Sequence, residues 1–284
     1  MFIFQSTVAL ALHQGMRPKF ARSELRMVNT TFDLKGISHL FTVEDSFDKE
    51  LPLMCNEPPR VPTLASKSQR IGTYLQNFAF FAPLKVPFSS FYRIRTEHIN
   101  AARAMLPPRC IAVHVRHFPQ HHLDIGLAVC PDARALARVL DTLWEPGRCI
   151  MAVGNDANYT RSMLAGVSAP CIQFPNVGST TVTRTSQSPE IHTINADTAS
   201  RDFAALTLCE DLVQTCGTFG ALASMLHTGN GSIYHFGDTS VERASYEALP
   251  EGRRWIHAND TVKQGARADR HMAKRIASKA ARAT

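Results

Sequence analysis

The chain has 284 residues, enough for two compact domains, and 44% of them are hydrophobic, which excludes a disordered polymer. The formal charge of +7 sits at one end: residues 262–284 hold seven basic side chains and one acid, so this stretch carries +6 and the body before it is near neutral. A near-neutral body leaves little room for a basic face, which argues against a nucleic-acid partner.

In chain order, Met1 to His13 carries apolar residues at helical spacing and stops at Gly15, with Pro18 opening an extended piece. The stretch from Asp45 to Pro62 is rich in Pro, Asp and Glu and reads as a surface loop. Ile71 to Phe81 is aromatic and apolar, and Glu97 to Leu106 reads as a helix ended by Pro107 and Pro108. A domain boundary is expected there, giving a first domain over 1–107, a second over 108–260 and a basic tail over 261–284. From Cys110 onward strands and helices alternate. The expected strands are Cys110–Val115, Cys149–Val153, Cys171–Phe174, Leu212–Cys216 and Ile233–Phe236. The expected helices are Pro131–Trp144, Asp156–Leu164, Arg201–Cys209 capped by Ser200, and Ala221–Leu226 ended by Gly229. This alternation predicts an α/β fold with a parallel sheet covered on both faces.

Ligands of such sheets bind at the carboxyl ends of strands, which singles out three loops. After Val115 comes Arg116, whose planar fork suits a phosphate; the alternative is a surface arginine. After Val153 comes Gly154-Asn155-Asp156, which either approaches a ligand or caps the next helix. After Cys216 comes Gly217-Thr218-Phe219-Gly220, a strand-to-helix junction whose free N–H groups can hold an anion, or an ordinary turn. No Asp-x-Asp occurs to hold a divalent cation for a sugar nucleotide. His114, His117, His121 and His122 crowd together but lack a neighbouring cysteine, and read as strand and loop residues rather than a zinc site.

Seven cysteines occur, with no C-x-x-C pair, and several lie in apolar runs where a free thiol acts as a small hydrophobe. Four N-x-S/T triplets begin at Asn29, Asn158, Asn230 and Asn259 and are candidate glycosylation sites. No stretch reaches the length of a spanning helix, and the N-terminus lacks the basic region of a signal peptide.

The run from Asp202 to Gly220, Asp-Phe-Ala-Ala-Leu-Thr-Leu-Cys-Glu-Asp-Leu-Val-Gln-Thr-Cys-Gly-Thr-Phe-Gly, resembles the D-F-A-L-L-T-x-C…G-T-F-G segment of the α-1,2-fucosyltransferases. Ile111 to Arg116 is similar to that family's V-x-V-H-V-R-R-G-D-Y, Ile150 to Asp156 to its F-x-V-x-S-N/D, and Gly72 to Phe81 to its G-Y-x-Q-S-x-K-Y-F. The resemblance implies a GT-B-type fold of two Rossmann-like domains, the first on the acceptor side and the second binding the GDP-sugar. It implies transfer of L-fucose from GDP-β-L-fucose to the 2-position of a terminal β-galactoside, with inversion, no metal and no other cofactor. Carried over, Arg116 is the catalytic residue and diphosphate ligand. His114, Asn155, Asp202, Thr218 and Phe219 complete the donor site. A Golgi location is implied, with membrane attachment only through an anchor that this chain lacks.

The chain departs from the pattern in places. His117 replaces the second arginine, and Phe118-Pro119 replaces Gly-Asp, removing an acid for which Asp124 is an unaligned substitute. Met1-Phe2 begins as if just past the Gly-Asn of the family's first segment, the expectation for an N-terminally truncated chain. The alternative reading is an inactive relative that binds GDP or glycan without turnover.

Overall fold

The computed structural model describes residues 8, 11–12, 15, 17–45, 50–51, 70–71, 92–118, 130–174, 196–236 and 255–258. Val8, Ala11 and Leu12 are helical, and Gly15, at a φ of 68°, donates its N–H to the Leu12 carbonyl 3.1 Å away, the glycine stop expected there. Strand β1 (Lys19–Ala21) leads directly into helix α1 (Arg22–Thr31). Next come β2 (Phe32–Asp33), a 3₁₀ turn over Lys35–Leu40, and β3 (Thr42–Glu44), which pairs parallel with β1. The expected loop from Asp45 is interrupted by β4 (Glu50–Leu51), parallel to β5 (Arg70–Ile71). Of the Ile71–Phe81 stretch only Ile71, in β5, is described; residues 72–81 lie outside the described residues. Strand β6 (Arg93–Ile94) pairs antiparallel with β2 and precedes α2 (Thr96–Met105).

The rest of the fold is a regular alternation: β7 (Cys110–Val115), α3 (Ala133–Leu143), β8 (Cys149–Gly154), α4 (Ala157–Leu164), β9 (Ile172–Gln173), α5 (Ala196–Leu208), β10 (Asp211–Gln214), α6 (Thr218–Met225), β11 (Ile233–His235) and β12 (Trp255–His257). These six strands form one wholly parallel sheet, in the order β12-β11-β10-β7-β8-β9. Numbered from β7 as the first, that is the 3-2-1-4-5-6 order of doubly wound dinucleotide-binding sheets. The order reverses between β7 and β10, so the ligand crevice of this fold class opens at their carboxyl ends.

Strand β7 shows why the sheet takes two layers. All six of its side chains are buried, and successive ones point to opposite faces. Ile111, Val113 and Val115 pack with Leu136, Val139 and Leu140 of α3 and Met163 and Leu164 of α4. Cys110 and Ala112 pack on the other side with Phe203 and Leu206 of α5 and Leu222 of α6. That second cluster also takes in Phe20, Val28, Phe32 and Tyr92 from the first part of the chain, with the Phe32 and Phe203 ring centroids 5.4 Å apart. Helix α3 starts at Ala133 because Asp132 caps it, its Oδ1 accepting from Ala135 N at 2.6 Å.

Four expectations need correction. Helix α5 begins at Ala196, five residues before the expected start, and Ser200 is no cap. Its buried hydroxyl meets that of Thr31 at 2.8 Å and ties α5 to α1. Helix α6 begins at Thr218 rather than Ala221, because Gly217 makes the turn. Strand β10 covers Asp211–Gln214, leaving Thr215 and Cys216 in the loop beyond it. The apolar cysteines are not free thiols: Cys110 bonds Cys209, Cys130 bonds Cys216 and Cys149 bonds Cys171. The seventh, Cys55, lies outside the described residues.

At the amino edge of the sheet, Arg148 is 6% exposed and its Nη2 donates to Asp211 Oδ2 at 2.6 Å. Asp211 Oδ1 accepts from Ser232 N, and Arg109 bridges Glu210 and Glu145 at 3.0 and 3.3 Å. The Arg148–Asp211 pair locks the starts of β8, β10 and β11 together, while Arg148 Nε, 3.2 Å from Glu210 Oε2, makes no hydrogen bond among the described residues. Among the described residues no helix is long and apolar enough to cross a membrane.

Candidate functional site

The three loops singled out by the sequence meet at the carboxyl edge, because β7 pairs with β8 on one side and β10 on the other. Val115 stands beside Gly154, and His114 beside Gln214. Side chains then join the loops. Arg116 N donates to Thr215 Oγ1 at 3.2 Å, and Thr215 Oγ1 donates to the His114 carbonyl at 2.9 Å. On the other side Asn155 holds the next residue at both ends: its Oδ1 accepts from His117 N at 2.8 Å and its Nδ2 donates to the His117 carbonyl at 3.1 Å. Asn155 therefore splints the Arg116 loop, while Asp156 caps α4 through Tyr159 N at 2.9 Å.

Arg116 lies across the start of α6. Gly217 has a φ of 86°, and a Cβ added to it would stand 3.3 Å from Arg116 Cγ. A side chain there would meet both a left-handed backbone and the arginine stem. As the residue before α6, Gly217 offers no capping oxygen to the helix's free N–H groups, which face the crevice end of the sheet. The guanidinium carbon sits 5.1 Å from the centroid of the Phe118 ring, a cation–π contact. Among the described residues no carboxylate pairs with it. Partial burial pushes the Arg116 pKa down from its ordinary value. A half-buried cation with no carboxylate partner among the described residues, beside a helix start, has the chemistry to receive an anion.

His114 supports this corner from below. It is 3% exposed, and its ring lies 5.4 Å from that of Phe219. Burial first, and the Arg116 charge second, hold its pKa down to about 3, so the imidazole is neutral. A Cβ on Gly220 would fall 2.6 Å from His114 Nδ1. Glycine is therefore what lets α6 close on β7, and among the described residues Nδ1 is buried without a hydrogen-bond partner.

Phe219 also meets Phe203, with centroids 5.2 Å apart, so it packs between β7 and α5 as a wall of the core. Asp202, the neighbour of Phe203, is a buried residue of α5. Thr218 starts α6, with its side chain outside the described residues. The structure thus brings His114, Arg116, Asn155 and Phe219 together around the junction that Thr218 begins.

The sequence reading missed three features of this corner. Thr215 gives the hydroxyl that ties the loops of β7 and β10. The Cys130–Cys216 disulfide spans the crevice, and the Cys216 sulfur lies 3.9 Å from the Arg116 carbonyl oxygen. His117 is an exposed loop residue, as expected, but its ring is held: its Nδ1 lies 3.0 Å from Asp156 Oδ2 and it stacks on Tyr159, 4.2 Å away at 12°. The Tyr159 N–H, then His117, hold the Asp156 carboxyl below the usual range. Among the described residues no three metal-ligating side chains stand together, and His121 and His122 lie outside those residues.

The candidate glycosylation triplets separate. Asn29 and Asn158 sit inside α1 and α4, and the third residues, Thr31 and Thr160, are buried with their hydroxyls bonded internally. Asn230 is exposed in the turn before β11, and Asn259 lies outside the described residues. Asn29 also borders a cleft of about 520 Å³ with Arg26, Arg95 and Arg201, where Arg95 already donates to the Asn29 side chain and pairs with Glu97.

Comparison with protein-family models, curated proteins and solved structures gives no significant match.

Proposed function

We propose that this chain is a GDP-sugar-dependent glycosyltransferase, transferring L-fucose from GDP-β-L-fucose to the 2-hydroxyl of a terminal β-galactoside with inversion. The six-stranded sheet is the donor-binding half of a GT-B-type arrangement. The observation that carries this reading is Arg116, uncompensated among the described residues and laid across the start of α6 at the point where strand order reverses. A diphosphate there accepts the bidentate fork and the helix N–H groups. As the sugar departs, negative charge grows on the same oxygens, so these contacts strengthen toward the transition state. The neutral His114 beneath leaves Arg116 as the charge at this corner. Three disulfides fit an oxidising compartment such as the Golgi lumen.

Incubating the protein with labelled GDP-fucose and lactose, while measuring GDP affinity by calorimetry, tests the reading. Transfer with GDP binding supports it, and absence of GDP binding overturns it. Phe118 favours a second reading: an apolar ring fills the place beside Arg116 where the resembling family has a polar Gly-Asp turn. A binder without turnover takes GDP and leaves lactose unmodified.

A further inference from the structure

The family pattern supplies an acid after its arginine pair that this chain lacks, and the structure offers a base of another kind at the neighbouring residue. His117 is gripped from three directions. Asn155 fixes its backbone N–H and carbonyl, Tyr159 stacks under its ring, and Asp156 Oδ2 stands 3.0 Å from Nδ1. Despite this grip, 44% of the side chain is exposed. An ionised carboxylate can only accept, so Nδ1 carries a hydrogen, and in the neutral ring the lone pair is then on Nε2. A histidine oriented by a carboxylate through one nitrogen and open at the other is the arrangement of a general base. A surface ion pair alone does not need the backbone splint and the stacked ring.

We propose that His117 is the general base of the transfer and Asp156 its positioning residue, an assignment that rests on the glycosyltransferase reading above. Nε2 takes the proton of the acceptor hydroxyl as that oxygen bonds to the anomeric carbon. The bond from that carbon to the diphosphate oxygen breaks, and its electron pair leaves with the diphosphate beside Arg116. The imidazolium formed is balanced by Asp156 and then gives its proton to water. The groups facing the ring are Asp156 and Tyr159 from the head of α4, with Arg116 next along the chain.

The test uses the full chain, GDP-fucose and lactose. His117→Ala is expected to lower kcat about 100-fold, keep GDP affinity within about twofold, and regain activity on addition of imidazole. Asp156→Asn, which retains a capping oxygen for α4, is expected to lower kcat about tenfold with KM unchanged. A His117→Ala protein that transfers at the normal rate overturns the assignment, as does a loss that imidazole does not restore. If the alanine variant does not fold, His117→Asn, whose side-chain amide cannot take up the proton, serves in its place, and transfer by it at the normal rate overturns the assignment. Unsubstituted protein that binds GDP but transfers nothing removes the base and leaves the binding reading standing. Failure to bind GDP removes that reading first.

Discussion

At the residue scale, the site depends on shapes that a one-atom change disturbs. Arg116→Lys replaces a two-pronged donor with a point charge, and GDP affinity measured by calorimetry is expected to fall about tenfold, about 1.4 kcal/mol. Gly220→Ala places a methyl 2.6 Å from His114 Nδ1, too close for both to stay where they are. Urea unfolding is expected to show a loss of roughly 1–3 kcal/mol. His114 also couples stability to pH. Its folded pKa of about 3 lies below its unfolded value of about 6.5, so the unfolded chain binds the extra proton between these limits. Its contribution to stability is full above about pH 6.5 and declines as pH falls toward the folded value, by up to about 1.4 kcal/mol per unit. A proton titration followed by NMR, showing His114 still neutral at about pH 5, checks the cause.

At the element scale, what could be read depended on how local the cause was. Strands β7 and β8 were legible because strands buried on both faces spell continuous apolar runs. Gly15 and Asp156 act through neighbours three residues away and were legible for that reason. Ser200 was misread because its partner, Thr31, is 169 residues distant, and no local pattern announces it. The strand order and the cysteine pairing are equally non-local. Arg116 was found by its position at a strand end, whereas the contact of His117 with Asp156 needed the register of β7 against β8. The disulfides divide by place. Cys149–Cys171 ties the starts of β8 and β9, while Cys130–Cys216 ties two loops across the crevice. Removing either pair as serines is expected to cost about 2–4 kcal/mol in chemical unfolding. GDP affinity is expected to fall only in the Cys130/Cys216 variant.

At the scale of the whole molecule, the two edges of the sheet do different work. The amino edge is locked by charge that is paired with Glu210 and Asp211; at the carboxyl edge Arg116 has no carboxylate partner among the described residues. Asp211→Ala leaves Arg148 buried beside Glu210 alone and frees Ser232 N. A loss of about 3 kcal/mol is expected in thermal or urea unfolding, with GDP affinity per folded molecule unchanged. Aspartate at the amino edge and arginine at the carboxyl edge thereby separate stability from binding in one experiment.

The central place of β7 has a consequence for how the protein is made. One partner, β8, follows it closely, but β10 emerges from the ribosome about 100 residues later, the separation of Cys110 from Cys209 being 99. At about 5–20 residues per second, that is roughly 5–20 s of translation. For that interval the nascent chain presents the bare flank of a strand whose side chains are all buried in the folded protein, a surface that chaperones occupy and that neighbouring chains on a polysome can pair with.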